Sequence, residues 1–152
     1  VRDDYRAVMA SCALPGFCRP VKVGDRYYYD GGVADSIPLH HAIEQGCTKM
    51  VVILSNPRNF LKKPEAHRPL YKHMLHKYPK TIQSIDNRHI NYQASIDLAC
   101  RLEKEGYVFI FAPSRHMPLS TFSKDAALEQ DLYDLGVADY EARAEELKHF
   151  LN

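Results

Sequence analysis

The spacing of apolar and polar positions divides the chain into short strands in its first half and long helices in its second. Val21-Lys22-Val23 and Arg26-Tyr27-Tyr28-Tyr29 flank Gly24-Asp25, a two-residue connection of the kind that closes a β-hairpin. Asp30-Gly31-Gly32 follows the second strand directly. Ser36 can then cap, and Pro38 open, a short helix over Leu39, Ala42 and Ile43, with Gly46 placed to end it. The run Lys49-Met50-Val51-Val52-Ile53-Leu54, bounded by Gly46 and Ser55-Asn56-Pro57, predicts a strand covered on both faces. Strand, glycine turn, helix and buried strand predict a βαβ unit. Ligands of such sheets bind beyond the carboxyl ends of the strands, which is where the Asp30 turn falls.

Pro57 to Pro69 is rich in proline and base and reads as an irregular excursion bordering a cleft, continued by a short helix around Tyr71 to Lys77. From Thr81, the positions Ile82, Ile85, His89, Tyr92, Ile96, Ala99 and Leu102 recur at three and four, the period of a long amphipathic helix that stops near Gly106. Tyr107 to Phe111 predicts another buried strand, halted by Ala112-Pro113. Ser123 can cap a helix through Leu128 and Leu132 that stops at Gly136. A last helix then presents Tyr140, Ala144, Leu147 and Leu151 on one face.

Composition narrows the class of protein. With 152 residues, 45% hydrophobic and 26% charged, the chain is long enough for one globular domain with its own core. A single domain over 1–152 is expected, with a sheet-containing part to about residue 115 and a helical part beyond it. No apolar run approaches the ~20 residues of a membrane-spanning helix. The sequence opens on Val1, with neither an initiator methionine nor a basic-then-apolar leader, so no secretory signal is expected within these residues and the chain reads as beginning mid-protein. Cys12, Cys18, Cys47 and Cys100 form no Cys-x-x-Cys pair, which disfavours a zinc ribbon or disulfide scaffold and suggests a reducing, cytoplasmic setting. His73 and His76 would share a helix face, but without a third ligand they do not make a zinc site. No metal or other cofactor is expected.

Net charge is only +1, yet the charge is unevenly placed. Arg58, Lys62, Lys63, Arg68, Lys72, Lys77 and Lys80 face the single acid Glu65, whereas acids dominate from Asp125 to Glu146. Such blocks are commonly solvated faces. The basic one also carries Phe60, Leu61, Leu70, Tyr71, Met74, Leu75 and Tyr78 and could lie on anionic lipid head groups. No nucleic-acid-binding motif accompanies it, so nucleic acid is not an expected partner.

The chemistry concentrates at Asp30. Paired glycines permit positive φ and let a ligand or another chain segment approach the carboxylate. An ordinary surface turn, with Asp30 accepting from the amides that follow, explains the same three residues. Asp35 is a competing acid without a glycine turn of its own.

Residues on both sides of the turn resemble the patatin-like phospholipases, specifically the C-terminal part of their catalytic domain. Ser11-Cys12-Ala13-Leu14-Pro15-Gly16-Phe17-Cys18-Arg19-Pro20-Val21 looks like the family's stretch of small residues, proline and aromatic ahead of the Asp strand. Tyr29-Asp30-Gly31-Gly32-Val33, followed by Ile37-Pro38-Leu39, looks like its Asp-Gly-Gly/Ala motif. Arg88-His89, the strand Phe109-Ile110-Phe111-Ala112-Pro113 and the tail from Leu135-Gly136 to Leu151 look similar to a bacterial branch of that family. The resemblance covers most of the chain and is most specific in the first forty residues.

The resemblance implies an α/β fold: the C-terminal portion of an α/β/α sandwich with a mostly parallel central sheet and C-terminal helices. It implies a serine acyl hydrolase acting on lipid esters with a Ser-Asp dyad, in which Asp30 matches the acid, Gly31 and Gly32 its supporting turn, and acyl lipid is the substrate. The Gly-x-Ser-x-Gly nucleophile elbow and the glycine-rich oxyanion loop are not found in these residues, so no nucleophile can be nominated and the fragment alone is expected to be inactive. The missing N-terminal half of the domain, or self-association, would cover its exposed apolar surface. A carboxylate with an ordinary pKa near ~3.9 is a weak base, so the dyad needs a dry pocket to which Leu14, Phe17 and the tyrosine strand could contribute. The expected location is cytoplasmic, with peripheral membrane contact through the basic segment. Two other readings stay open: a non-enzymatic lipid- or protein-binding module on the same fold, and an unrelated α/β domain whose Asp30 binds a metal or phosphoryl group.

Overall fold

The structure is a computed structural model that describes residues 5–118 and 124–152. Its elements run α1 Arg6–Ser11, β1 Val21–Val23, β2 Arg26–Tyr28, a 3-10 turn over Gly31–Val33, α2 Leu39–Glu44, β3 Met50–Ile53, α3 Arg68–Met74, α4 Pro79–Lys104, β4 Val108–Phe111 and α5 Ala126–Leu151. The chain divides into two compact units, Val1–Pro38 with Leu61–Ser95, and Leu39–Phe60 with Ile96–Asn152.

In the first unit β1 and β2 form the expected antiparallel hairpin, in register from Val21↔Tyr28 to Val23↔Arg26. Gly24 closes it at φ 58°, a conformation that side-chain-bearing residues rarely adopt. Helix α1 packs on β1. Ala10, Ala13, Val33, Ile37 and Leu75 form the buried apolar positions.

In the second unit β3 and β4 pair in parallel, from Met50↔Val108 to Ile53↔Phe111. Leu39, Val52, Leu54, Ile96, Leu98, Ala99, Val108, Phe109 and Ile110 are buried there. Both glycine stops that end a helix in positive φ are realised. Gly46 after α2 and Gly106 after α4, at φ 83° and 82°, each sit in a Schellman pair of bonds, with Cys47 N donating to Ala42 O and Tyr107 N to Leu102 O.

Several expectations change. β2 pairs with β1 and β3 with β4, so the strand ahead of Asp30 and the run Met50–Ile53 do not form one βαβ sheet among the described residues. Mixed helix and strand are present, but the sheets are small, two strands each. β3 is also not covered on both faces: Val51 is 41% and Ile53 79% exposed. The physical reason lies in α5, whose Phe150 and Tyr140 rings meet Phe109 and Phe111 of β4 at 5.7 and 5.9 Å. The helix therefore covers β4 and leaves part of β3 uncovered.

α5 replaces the two helices expected after residue 123. Ser123, the expected cap, lies outside the described residues. Asp125 occupies the N-cap, its Oδ1 accepting from Ala127 N and Leu128 N at 3.1 Å each. The helix then runs through Gly136 without a break. An interior glycine costs only about 1 kcal/mol against alanine, and half-buried Leu132, Leu135 and Leu147 lie on either side of it.

Candidate active site around Asp30

The first unit places Asp30 two residues past the end of β2, as N-cap of the 3-10 turn. Asp30 N donates to Ala13 O at 3.0 Å, tying the acid to the buried end of the Ser11 to Val21 stretch. Asp30 as a residue is half-buried. Its Oδ1 accepts from Gly32 N at 2.8 Å, the Asx-type bond of the ordinary-turn reading. No partner of Oδ2 is found among the described residues.

The glycines act by lacking a side chain, not by adopting positive φ. Positive φ occurs at Gly16, Gly24, Gly46 and Gly106, and Gly31 and Gly32 are not among them. A Cβ on Gly32 would lie 3.2 Å from Asp30 Oδ1, whereas one on Gly31 would meet nothing within 4 Å. Gly32 thus lets the carboxylate close on the backbone, and Gly31 leaves open space beside it.

Downstream, the turn is held from several sides. Ser36 Oγ donates to Gly32 O at 2.7 Å, so the hydroxyl expected to cap α2 braces the Asp30 turn instead. Asp35 Oδ1 accepts from Ile37 N at 3.0 Å, so the competing acid serves its own local turn. Arg88 Nε on α4 donates to Gly32 O at 3.0 Å, and its Nη1 donates to Glu65 Oε1 at 2.9 Å. Three residues further along α4, Asn91 Nδ2 donates to Ala34 O at 3.2 Å. Lys62 Nζ lies 3.9 Å from the same Glu65 oxygen and 5.7 Å from the centre of the Tyr92 ring. Burial, followed by the Arg88 cation, pushes the Lys62 ammonium pKa down, while Glu65 opposes them.

The aromatic screen expected around the acid is only partly present. Tyr29 packs edge-on against Tyr78 with ring centres 5.5 Å apart, and burial raises its phenol pKa, with Tyr78 and Cys18 adding smaller effects. Leu14 is half-buried. Phe17, however, is 76% exposed, and Tyr27 and Tyr28 are exposed as well: Gly16 sits at φ 88° and turns the chain just ahead of Phe17.

Other clusters lie elsewhere. Asp86 on α4 accepts from Arg68 Nε and Nη2 at 2.8 and 2.7 Å and from Tyr71 Oη at 2.7 Å. The bonds from Arg68 and then Tyr71 hold its carboxyl pKa down at about 2. His73 and His76 are neighbours, with ring centres 6.5 Å apart, and no group of three or more metal-ligating side chains occurs among the described residues. In the second unit, Pro57, Arg58, Asn59, Pro113, Asp139 and Arg143 help line a cleft of about 390 Å³. An apolar groove of about 310 Å³ runs past Val51, Ile53, Leu132, Leu135 and Tyr140. Asp30 lines neither. No described helix is long and apolar enough to cross a membrane.

The Asp30 turn and its glycines are legible in the local sequence, whereas the residues that brace the turn are not. Arg88 and Asn91 share a helix face, and nothing in that spacing signals a bond to residues more than fifty positions away.

Residues 78–152 match the model of a domain of unknown function, DUF6363. An uncharacterized protein of Escherichia coli (strain K12), YjjU, is 39% identical over 59 residues, a stretch that makes up 38% of this chain and 16% of that protein. No solved structure matches. Residues 3–43, which contain the whole Asp30 turn, match the model of the patatin-like phospholipases, and in this stretch the chain is similar to that lipid-hydrolase family.

Proposed function

We propose that this chain supplies the acid of a Ser-Asp dyad that hydrolyses acyl esters of lipids. The observation that carries the reading is the Asp30 carboxylate, fixed through Oδ1 by Gly32 N–H inside the stretch similar to patatin-like phospholipases. Oδ2 is then the oxygen that orients a serine hydroxyl. During attack the serine oxygen bonds to the acyl carbon while its proton passes to Asp30. Collapse of the tetrahedral intermediate breaks the ester bond, and that proton leaves on the alcohol. Water repeats the sequence on the acyl-enzyme, releasing the fatty acid. The serine and the oxyanion-binding amides come from polypeptide ahead of Val1, in the remainder of a patatin-like α/β/α sandwich whose central sheet is mostly parallel. Residues 1–152 form one C-terminal domain portion of that whole.

The test is hydrolysis of a chromogenic acyl ester by the longer polypeptide, with this chain alone expected to be inactive. Asp30→Asn is expected to lower kcat by roughly 10²–10⁴-fold with an unchanged thermal melt. Wild-type turnover in a folded Asp30→Asn variant would sink the role.

A second reading, a lipid-binding module without hydrolysis, draws support from Leu61, Leu70 and Met74, which are 71%, 59% and 49% exposed near exposed Lys63, Lys72 and Lys77. In the hydrolase this same basic, apolar surface would serve as a peripheral membrane contact for a cytoplasmic protein. The module reading predicts no Gly-x-Ser-x-Gly ahead of Val1 and no turnover by the longer polypeptide.

A further inference from the structure

The patatin-like match covers Asp30 but none of the long helix that braces it, and the match over residues 78–152 carries no function of its own. Within the first unit the two are joined by specific bonds. Both backbone groups of Gly32 are held, on the two peptides that flank its Cα: its N–H goes to the Asp30 carboxylate, and its carbonyl receives both Arg88 Nε and Ser36 Oγ. Two residues on, the Ala34 carbonyl receives Asn91. Arg88 is itself aimed by Glu65, and α4 is tied to α3 through the Arg68–Asp86–Tyr71 group.

We propose that α4 is the positioning element of the Asp30 turn, with Arg88 and Asn91 as positioning residues that fix the orientation in which the carboxylate is presented. Neither residue needs to touch substrate. A guanidinium fork that spans a backbone carbonyl and a carboxylate sets two directions at once, which a lysine ammonium cannot reproduce. Loosening it lets the Gly32 amide rotate away from Asp30 Oδ1, and the free carboxylate oxygen loses its aim. Small misplacements of a reacting group cost turnover more than binding.

The catalytic consequence rests on the proposed hydrolase reading, while the geometric one does not, and the experiment has an arm for each. In the longer polypeptide with labelled glycine, the Gly32 amide proton shift is followed through ionisation of Asp30, with Asp30→Asn identifying the response. Arg88→Gln is expected to reduce this pH-dependent excursion by about half or more, and Arg88→Lys to restore it only in part. Ester hydrolysis by the same variants is expected to show kcat lowered about tenfold with KM nearly unchanged. A wild-type Gly32 excursion in folded Arg88→Gln overturns the proposal, as does a change confined to KM. Should Arg88→Gln fail to fold, Glu65→Gln and Asn91→Ala take its place with the same expected readouts. If the wild type hydrolyses no ester, the functional reading fails and the Gly32 excursion alone decides the positioning role.

Discussion

At the scale of single residues, two adjacent glycines do different work. A methyl group on Gly32 would press on Asp30 Oδ1 at 3.2 Å, and one on Gly31 would point into space. Gly32→Ala is therefore expected to displace the carboxylate by a few tenths of an ångström and lower ester turnover about tenfold, with Gly31→Ala within about twofold of wild type in the same kcat assay. Equal losses would mean that closeness to the carboxylate is not what Gly32 provides. Asp86 makes a pH-dependent contribution of definite sign. Its carboxyl is held at about 2, below the ordinary 3.8, so the stabilisation it gives is fully present above the ordinary value and fades as pH falls through about 2. The melting-temperature gap between wild type and Asp86→Asn is expected to be widest above pH 4 and to narrow toward pH 2. Asp30 was legible because a strand followed by Asp-Gly-Gly is a local pattern. Arg88 and Asn91 were not, because their bonds depend on a return of the chain that only folding creates.

At the scale of elements, three of the glycines expected to turn or end an element do so and one does not. Gly24, Gly46 and Gly106 adopt positive φ and end or turn their elements. Gly136 stays helical inside α5, because half-buried leucines on both sides favour continuing the helix. A Cβ at Gly136 would meet nothing within 4 Å. Gly136→Ala is therefore expected to stabilise the protein by about 0.5–1 kcal/mol, read as a higher midpoint in denaturant. A lower midpoint would mean that the helix needs the glycine there. The apolar run Met50–Ile53 was recognisable as a strand, but its burial was not, since that depends on which elements lie over it.

At the scale of the whole molecule, the uneven charge of the sequence is partly cancelled within the fold. Arg68 is engaged by Asp86, Arg58 by Glu103, and Lys62 lies near Glu65, so the basic block is less of a free cationic face than its composition suggests. The Glu103 carboxyl is held below its ordinary range chiefly by the bond from Arg58. That pair also reaches a backbone group: Ile110 N donates to Glu103 Oε1 at 3.2 Å, and Ile110 O accepts from Arg58 Nη2 at 3.0 Å and from Arg143 Nη1 at 2.6 Å. Both backbone groups of Ile110 on the side of β4 away from β3 are thus taken by side chains. A strand edge closed in this way offers no template there for another chain. At Ile110, therefore, a further strand could pair with β4 only by displacing Arg58, Glu103 and Arg143.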